Sequence, residues 1–261
     1  DAFADGFVIR LGTHYDFGTA GEALRGVPLP QVVRGSSTTS ADLGTLVSDG
    51  VLNQLSYAAW RAGALDGIVA PSMIVAPDMI VAPSMIVAPS MIVAPDMVRI
   101  EAGLPAVFDT AGSDGVRVSM GALAVTLRGP PPYGDGVTAR LGFAAVADLS
   151  AGAGSEVPGF VVSEITQLTF STEPQLSGPD RSTVGEFLTV IAYHLATIAL
   201  AQTASSLPIP SFAMPVQTRV GTEMFSTGIT AGTRLGHVGP EFSVLDGHIE
   251  AVGDLGETAA P

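Results

Sequence analysis

Apolar residues recur along this chain in two rhythms. In "VSDGVLNQLSYAAWRAGAL", residues 47–65, Val51, Leu52, Leu55, Ala58, Ala59 and Ala62 fall at the spacing of one helical face. Ser48 stands where an N-cap oxygen is needed, and Gly63 suits the left-handed position after the last turn. A second helix is expected to open near residues 180–183, where Thr183 and Glu186 have capping-box spacing. Its body, "EFLTVIAYHLATIALAQTASS", is apolar over most of its circumference through Phe187, Val190, Ile191, Leu195, Ile198 and Leu200. The apolar run 187–201 contains His194 and falls short of the ~20 residues that span a bilayer. A buried helix is predicted, and no transmembrane segment. "SLPIPSF" stops it, because two prolines cannot continue a helix.

Elsewhere the rhythm is two. "GVRVSMGALAVTL" alternates through Val116 and Val118, slips at Gly121 and resumes at Leu123, Val125 and Leu127, so Gly121 marks a candidate bulge. "GPPPYGDG" makes a turn, and "VTARLGFAAVADL" puts Val137, Ala139, Leu141 and Phe143 on one face. "GFVVSEITQLTF" repeats this with Phe160, Val162, Leu168 and Phe170, although Glu164 and Thr166 interrupt the face. Further strands are expected around residues 212–229 and 240–252, with Asp246 and Gly247 as a hairpin turn. The expected class is α+β, with helices set against a long-stranded antiparallel sheet.

Two segments fit neither rhythm. Residues 1–46 are turn-rich, with one strand expected around "GFVIRL" and a linker at "RGSSTTSADLG". Residues 68–97 are a perfect hexad repeat, "IVAPSM" or "IVAPDM", whose prolines exclude a continuous helix. A strand or polyproline course fits six residues equally well. The repeat is read as an insertion in a surface connection, with a dedicated adhesive strand as the rival reading. The expected organisation is an N-terminal strand and linker over 1–46, one domain over 47–255 carrying the insertion, and a tail over 256–261.

Composition narrows the function classes. With 14% charged and 47% hydrophobic residues, the chain is no disordered polyampholyte. Gly at 31 and Pro at 19 favour turns and strands over a helical bundle. The net charge of −14 excludes nucleic acid, which is bound through clustered basic residues. The absence of cysteine removes disulfides and thiolate metal sites and leaves the compartment open. No signal peptide is legible from Asp1, so one is expected to be either removed or never present.

Candidate chemistry is sparse. His237, Glu241, Asp246, His248 and Glu250 cluster in sequence, but without metal-binding helical spacing they read as solvated hairpin residues. His194 reads as a buried, hydrogen-bonded side chain. No nucleophile elbow, phosphate-cradling glycine loop or metalloprotease motif is present, so no catalytic residue, metal or cofactor is expected. Tyr57 and Trp60 fit either a core or an amphipathic rim at a cavity mouth or membrane surface.

Three passages carry a family resemblance. Ser48, Asp49, Asn53 and Gly63, followed by Ala64 and Leu65, resemble the S-[DE]-x-x-x-N helix start and x-x-G end of the tubular lipid-binding superfamily. That superfamily is typified by bactericidal/permeability-increasing protein and cholesteryl ester transfer protein. "GVRVSMGALAVTLRG" resembles its central strand pair, and "LAQTASSLPIPSF" its second helix running into an L-P-x-P turn at Leu207, Pro208 and Pro210. The match covers roughly residues 45–255 and resembles the carboxy-terminal half of such proteins; the hexads and the acidic charge depart from it. The resemblance implies a strongly twisted antiparallel sheet wrapped around two apolar helices, with acyl chains held in the tube. The expected function is a non-enzymatic, extracytoplasmic lipid-binding or lipid-transfer module of bacterial type. Its expected partners are a lipid or other apolar small molecule, peripheral contact with a membrane, and a further module on the N-terminal side. Periodicity nominates Leu52, Leu55, Phe187, Ile191, Leu195 and Ile198 as lining residues and Tyr57 and Trp60 as the rim, though each also fits a packed core. The alternative is a structural or adhesive surface protein with a solid core and a working hexad insert.

Overall fold

The computed structural model describes residues 2–3, 6–7, 43–69, 94–110, 115–150, 159–205, 212–213, 217–220, 223–226, 234–245 and 247–258. The expectations for residues 8–11, the linker 34–42, hexad residues 70–93, the prolines of 206–211 and Asp246 lie outside the described residues. The fold is α+β, with twisted antiparallel sheets and, among the described residues, two helices.

The chain order begins with β1 (Ala2–Phe3), β2 (Gly6–Phe7), β3 (Leu43–Ser48) and α1 (Asp49–Arg61). Strands β4 (Gly67–Val69), β5 (Met97–Ala102), β6 (Val107–Asp109) and β7 (Val116–Gly129) follow. Next come β8 (Gly134–Ser150), β9 (Gly159–Glu173) and α2 (Gly178–Ser205). The chain closes with β10 (Phe212–Ala213), β11 (Gln217–Val220), β12 (Glu223–Ser226), β13 (Arg234–Leu245) and β14 (His248–Thr258). One sheet runs β4-β5-β7-β8-β9 with β6 also paired to β7, and a second runs β10-β13-β14-β3. The repeat leaves and rejoins the first sheet through an antiparallel pair, Val69 opposite Val98 and Gly67 opposite Ile100. Strand β3 begins at Leu43, inside the stretch whose composition reads as linker, because its pairing with β14 supplies the missing partner. Likewise β14 runs to Thr258, into the expected tail.

The inner face of the large sheet is a regular row. Val116, Val118, Met120, Leu123, Val125 and Leu127 on β7, and Val137, Ala139, Leu141, Phe143, Ala145 and Ala147 on β8, are all buried. The slip in β7 is a bulge between Met120 and Leu123, but the left-handed residue is Ala122 (φ 52) rather than Gly121. On β9 two irregularities, near Thr166 and Ser163, shift the register. They put Phe160, Val162, Ile165, Leu168 and Phe170 opposite the buried row of β8, and the Thr166 and Ser163 hydroxyls donate to the carbonyls of Ala144 and Val146. The interruption seen in sequence is therefore a pair of bulges that keeps the apolar residues inward.

Helix α2 packs on β9 and β8, and α1 touches it. It starts at Gly178, earlier than its sequence signals, and the Thr183 hydroxyl donates back to the Pro179 carbonyl instead of capping. An 18-residue window of its stretch 178–204 has mean hydropathy 1.6, long and apolar enough to cross a membrane by length and composition, so the shorter run counted in sequence understates it. Of that window, 56% is buried within the protein, the pattern of a core helix. Val184, Phe187, Leu188, Ile191, Ala192, Leu195, Ala196, Ala199 and Leu200 join the core of the large sheet. Tyr133, from the β7–β8 turn, meets Phe187 edge-on at 6.1 Å, and burial followed by the charge of Glu186 pushes its hydroxyl up to about 12.

Candidate functional site

The buried face of α1 is polar. Asp49, Asn53, Ser56 and Trp60 fall at i, i+4, i+7 and i+11 and so form one stripe. Each is tied to the segment 102–110, which runs antiparallel to the helix. Asp49 accepts from the Thr110 amide at 3.2 Å and hydroxyl at 2.6 Å. The Asn53 amide donates to the Phe108 carbonyl at 2.9 Å and accepts from its N–H at 2.8 Å. Ser56 donates to the Ala106 carbonyl and the Trp60 indole to that of Ala102, both at 2.7 Å. Phe108 faces Val118 of β7, so Asn53 occupies the place of a strand on the other edge. The expected apolar face fares differently: Leu52 is buried, Leu55 half-buried and Ala62 exposed. Ser48 holds the N-cap position without a side-chain bond, and the Gly247 carbonyl accepts the Asp49 amide instead. The helix ends as expected, with Gly63 at φ 73 and Gly63 and Ala64 donating to Trp60 and Ala59 in a Schellman pattern.

The nominated lining residues divide into two groups. Leu52 (1%), Phe187 (0%), Ile191 (0%) and Leu195 (2%) keep no appreciable accessible surface. A hollow wide enough for a hydrocarbon chain leaves such surface on its walls, so these four are core side chains. Leu55 and Ile198 are half-buried and have surface to offer. The two rim candidates lie together, with Tyr57 and Trp60 ring centroids 5.6 Å apart, and both are half-buried.

Phe187, Ile191, His194 and Ile198 form one stripe of α2 at i, i+4, i+7 and i+11. It is sealed at Phe187 and Ile191 and opens at Ile198. Between them His194 is 7% exposed and its Nδ1 has no hydrogen-bond partner, so the expected hydrogen-bonded histidine is buried but unpaired at that atom. Burial lowers its pKa and keeps the imidazole neutral near pH 7. An apolar stripe with one unmet polar atom is suited to a molecule with a hydrocarbon body and a polar end.

The hairpin cluster is a correction. His248 (5%) and Glu250 (3%) are buried on β14, between β13 and β3, because the middle strand of a covered sheet shields them; only Glu241 is solvated as expected. Ser243 reaches Glu250 Oε2 at 3.5 Å and Oε1 has no partner. The His237 side chain and Asp246 lie outside the described residues. Among the described residues no three metal-ligating side chains come together. The α1 polar ladder was missed in the sequence although visible as polar residues at helical spacing; the burial of His194 was expected, whereas its unpaired Nδ1 needs coordinates.

No family model matches the sequence, and no curated protein matches it. Among solved structures, the crystal structure of lipopolysaccharide binding protein is similar over 89% of this chain and 47% of that one, with 7% identity and a TM-score of 0.29. The chain thus spans about half the length of that protein.

Proposed function

We propose that the chain is a non-enzymatic, extracytoplasmic module that takes up a lipid-like amphiphile beside α2. The observation that carries the reading is the opening of an otherwise sealed apolar stripe at Ile198, next to the unpaired Nδ1 of His194. A hydrocarbon body covering Ile198 gains about 0.8 kcal/mol per buried methylene before the costs of association. Nδ1 of His194 is itself buried, so a hydroxyl or carboxyl reaches it only as the side chains around it part, and then meets an atom whose isolation costs about 1–3 kcal/mol. The resemblance to tubular lipid-binding proteins supports the same reading. Lipopolysaccharide, named for the similar solved structure, is not carried over: it is polyanionic, and this chain has a net charge of −14.

Titration with a fluorescent long-chain fatty acid tests it. Saturable binding is expected, weakened about tenfold or more in Ile198→Trp and in His194→Phe with the circular dichroism unchanged. Absence of binding by the parent chain, or indifference to both substitutions, contradicts the reading. The structural or adhesive alternative is favoured by the closed packing of Leu52, Phe187, Ile191 and Leu195, and by Ile68, 72% exposed at the foot of the repeat.

A further inference from the structure

One loop shows apolar side chains to solvent while the backbone on either side of its tip, Leu104, is tied inward. Leu104 is 48% and Val107 37% exposed, in the segment clamped by α1. On either side of Leu104, the Ala102 N–H donates to Asp66 and its carbonyl accepts from Trp60, Gly103 N–H donates to Ala122, and Ala106 accepts from Ser56. Pro105 has no N–H. Val107 and Asp109 pair with Ser119 and Arg117 of β7, and Phe108 with Asn53. Beside this loop lie the rings of Tyr57 and Trp60, with the indole N–H already engaged by the Ala102 carbonyl.

A polypeptide surface that enters lipid needs its backbone polar groups satisfied internally, because hydrocarbon offers them nothing. Aliphatic side chains flanked by Tyr and Trp are the composition found at the boundary between headgroups and acyl chains. Charge chooses among membranes: the chain has no lysine and a net charge of −14, so an anionic surface repels it.

We infer that the 103–107 loop, with Tyr57 and Trp60, docks the chain onto an uncharged lipid surface. This docking stands independently of ligand uptake beside α2. It also gives a role to the polar ladder of α1, which meets the carbonyls of Ala102, Ala106 and Phe108 without water and leaves the Leu104 backbone to the hydrated headgroup layer.

Trp60 is the single tryptophan of the sequence, so its emission reports on this loop alone. With phosphatidylcholine vesicles the emission is expected to shift to the blue and to be quenched by lipids brominated near the headgroup. Leu104→Asp and, separately, Val107→Asp, both at exposed positions, are expected to weaken vesicle partitioning about tenfold with the fold intact by circular dichroism. No shift with these vesicles overturns the inference. So does quenching that survives both substitutions, as uptake of one lipid into the interior would give. A blue shift that rises with protein concentration without vesicles, and is lost in Leu104→Asp, assigns the surface to a second copy of the chain and equally overturns it.

Discussion

A strand at the rim of a sheet has a row of amides and carbonyls without a neighbour, and at Phe108 the neighbour is one side chain. Asn53 is 6% exposed and satisfies both backbone groups of Phe108. Asn53→Ala leaves a buried donor and a buried acceptor unmet, and urea denaturation is expected to show a loss of about 2–4 kcal/mol. Asn53→Asp keeps the acceptor and sets a carboxylate oxygen against the Phe108 carbonyl, so it is expected to be no milder. Recovery of full stability by the aspartate would contradict the bidentate role. His194 makes a second residue-scale prediction through pH. Its folded pKa lies below the unfolded value of about 6.5, so below that value the unfolded chain binds the proton more readily. Stability is therefore complete above about pH 7.5 and falls as pH drops through 6.5 towards the depressed folded value. The urea midpoint measured from pH 8 to 5.5 is expected to fall, with a smaller fall in His194→Gln; equal slopes would contradict it.

At the scale of elements, the fit between α2 and β9 rests on a close approach. A Cβ at Gly185 would lie 3.1 Å from Phe170 Cζ, and that ring carries the Arg181 guanidinium 4.6 Å from its centroid. Gly185→Leu gains helix propensity but wedges the helix off the ring, so a net loss of about 1–3 kcal/mol is expected by thermal or urea unfolding. A stabilised variant would show that the helix has room to move. The elements themselves were largely legible, since long regular alternation in β7 and β8 needs only a solvated face and a buried one. The extra residues near Ser163 and Thr166 were legible only as a break in β9, because a bulge changes the count without changing the composition. In α1, attention to apolar positions hid the alternation of Asp49, Asn53, Ser56 and Trp60. A buried face need not be greasy when what it covers is a strand edge. The burial of His248 and Glu250 was illegible, because it comes from partners that their local sequence does not contain.

Across the whole molecule, side chains that the family resemblance would place around a hollow are packed into a core. Leu52, Phe187, Ile191 and Leu195 join helices and sheet into that core, and the apolar surface left outside it includes Ile198 beside His194 and the 103–107 loop beside Trp60. On the proposed reading the first takes the ligand, and the second, independently, meets a lipid surface. Native mass spectrometry of the chain after mild purification from lipid-containing extract tests the central claim most directly. The account predicts a fraction heavier by one discrete lipid mass, which Ile198→Trp removes while the protein stays folded. A chain that flies at its bare mass, and stays there after incubation with long-chain fatty acid, would contradict it.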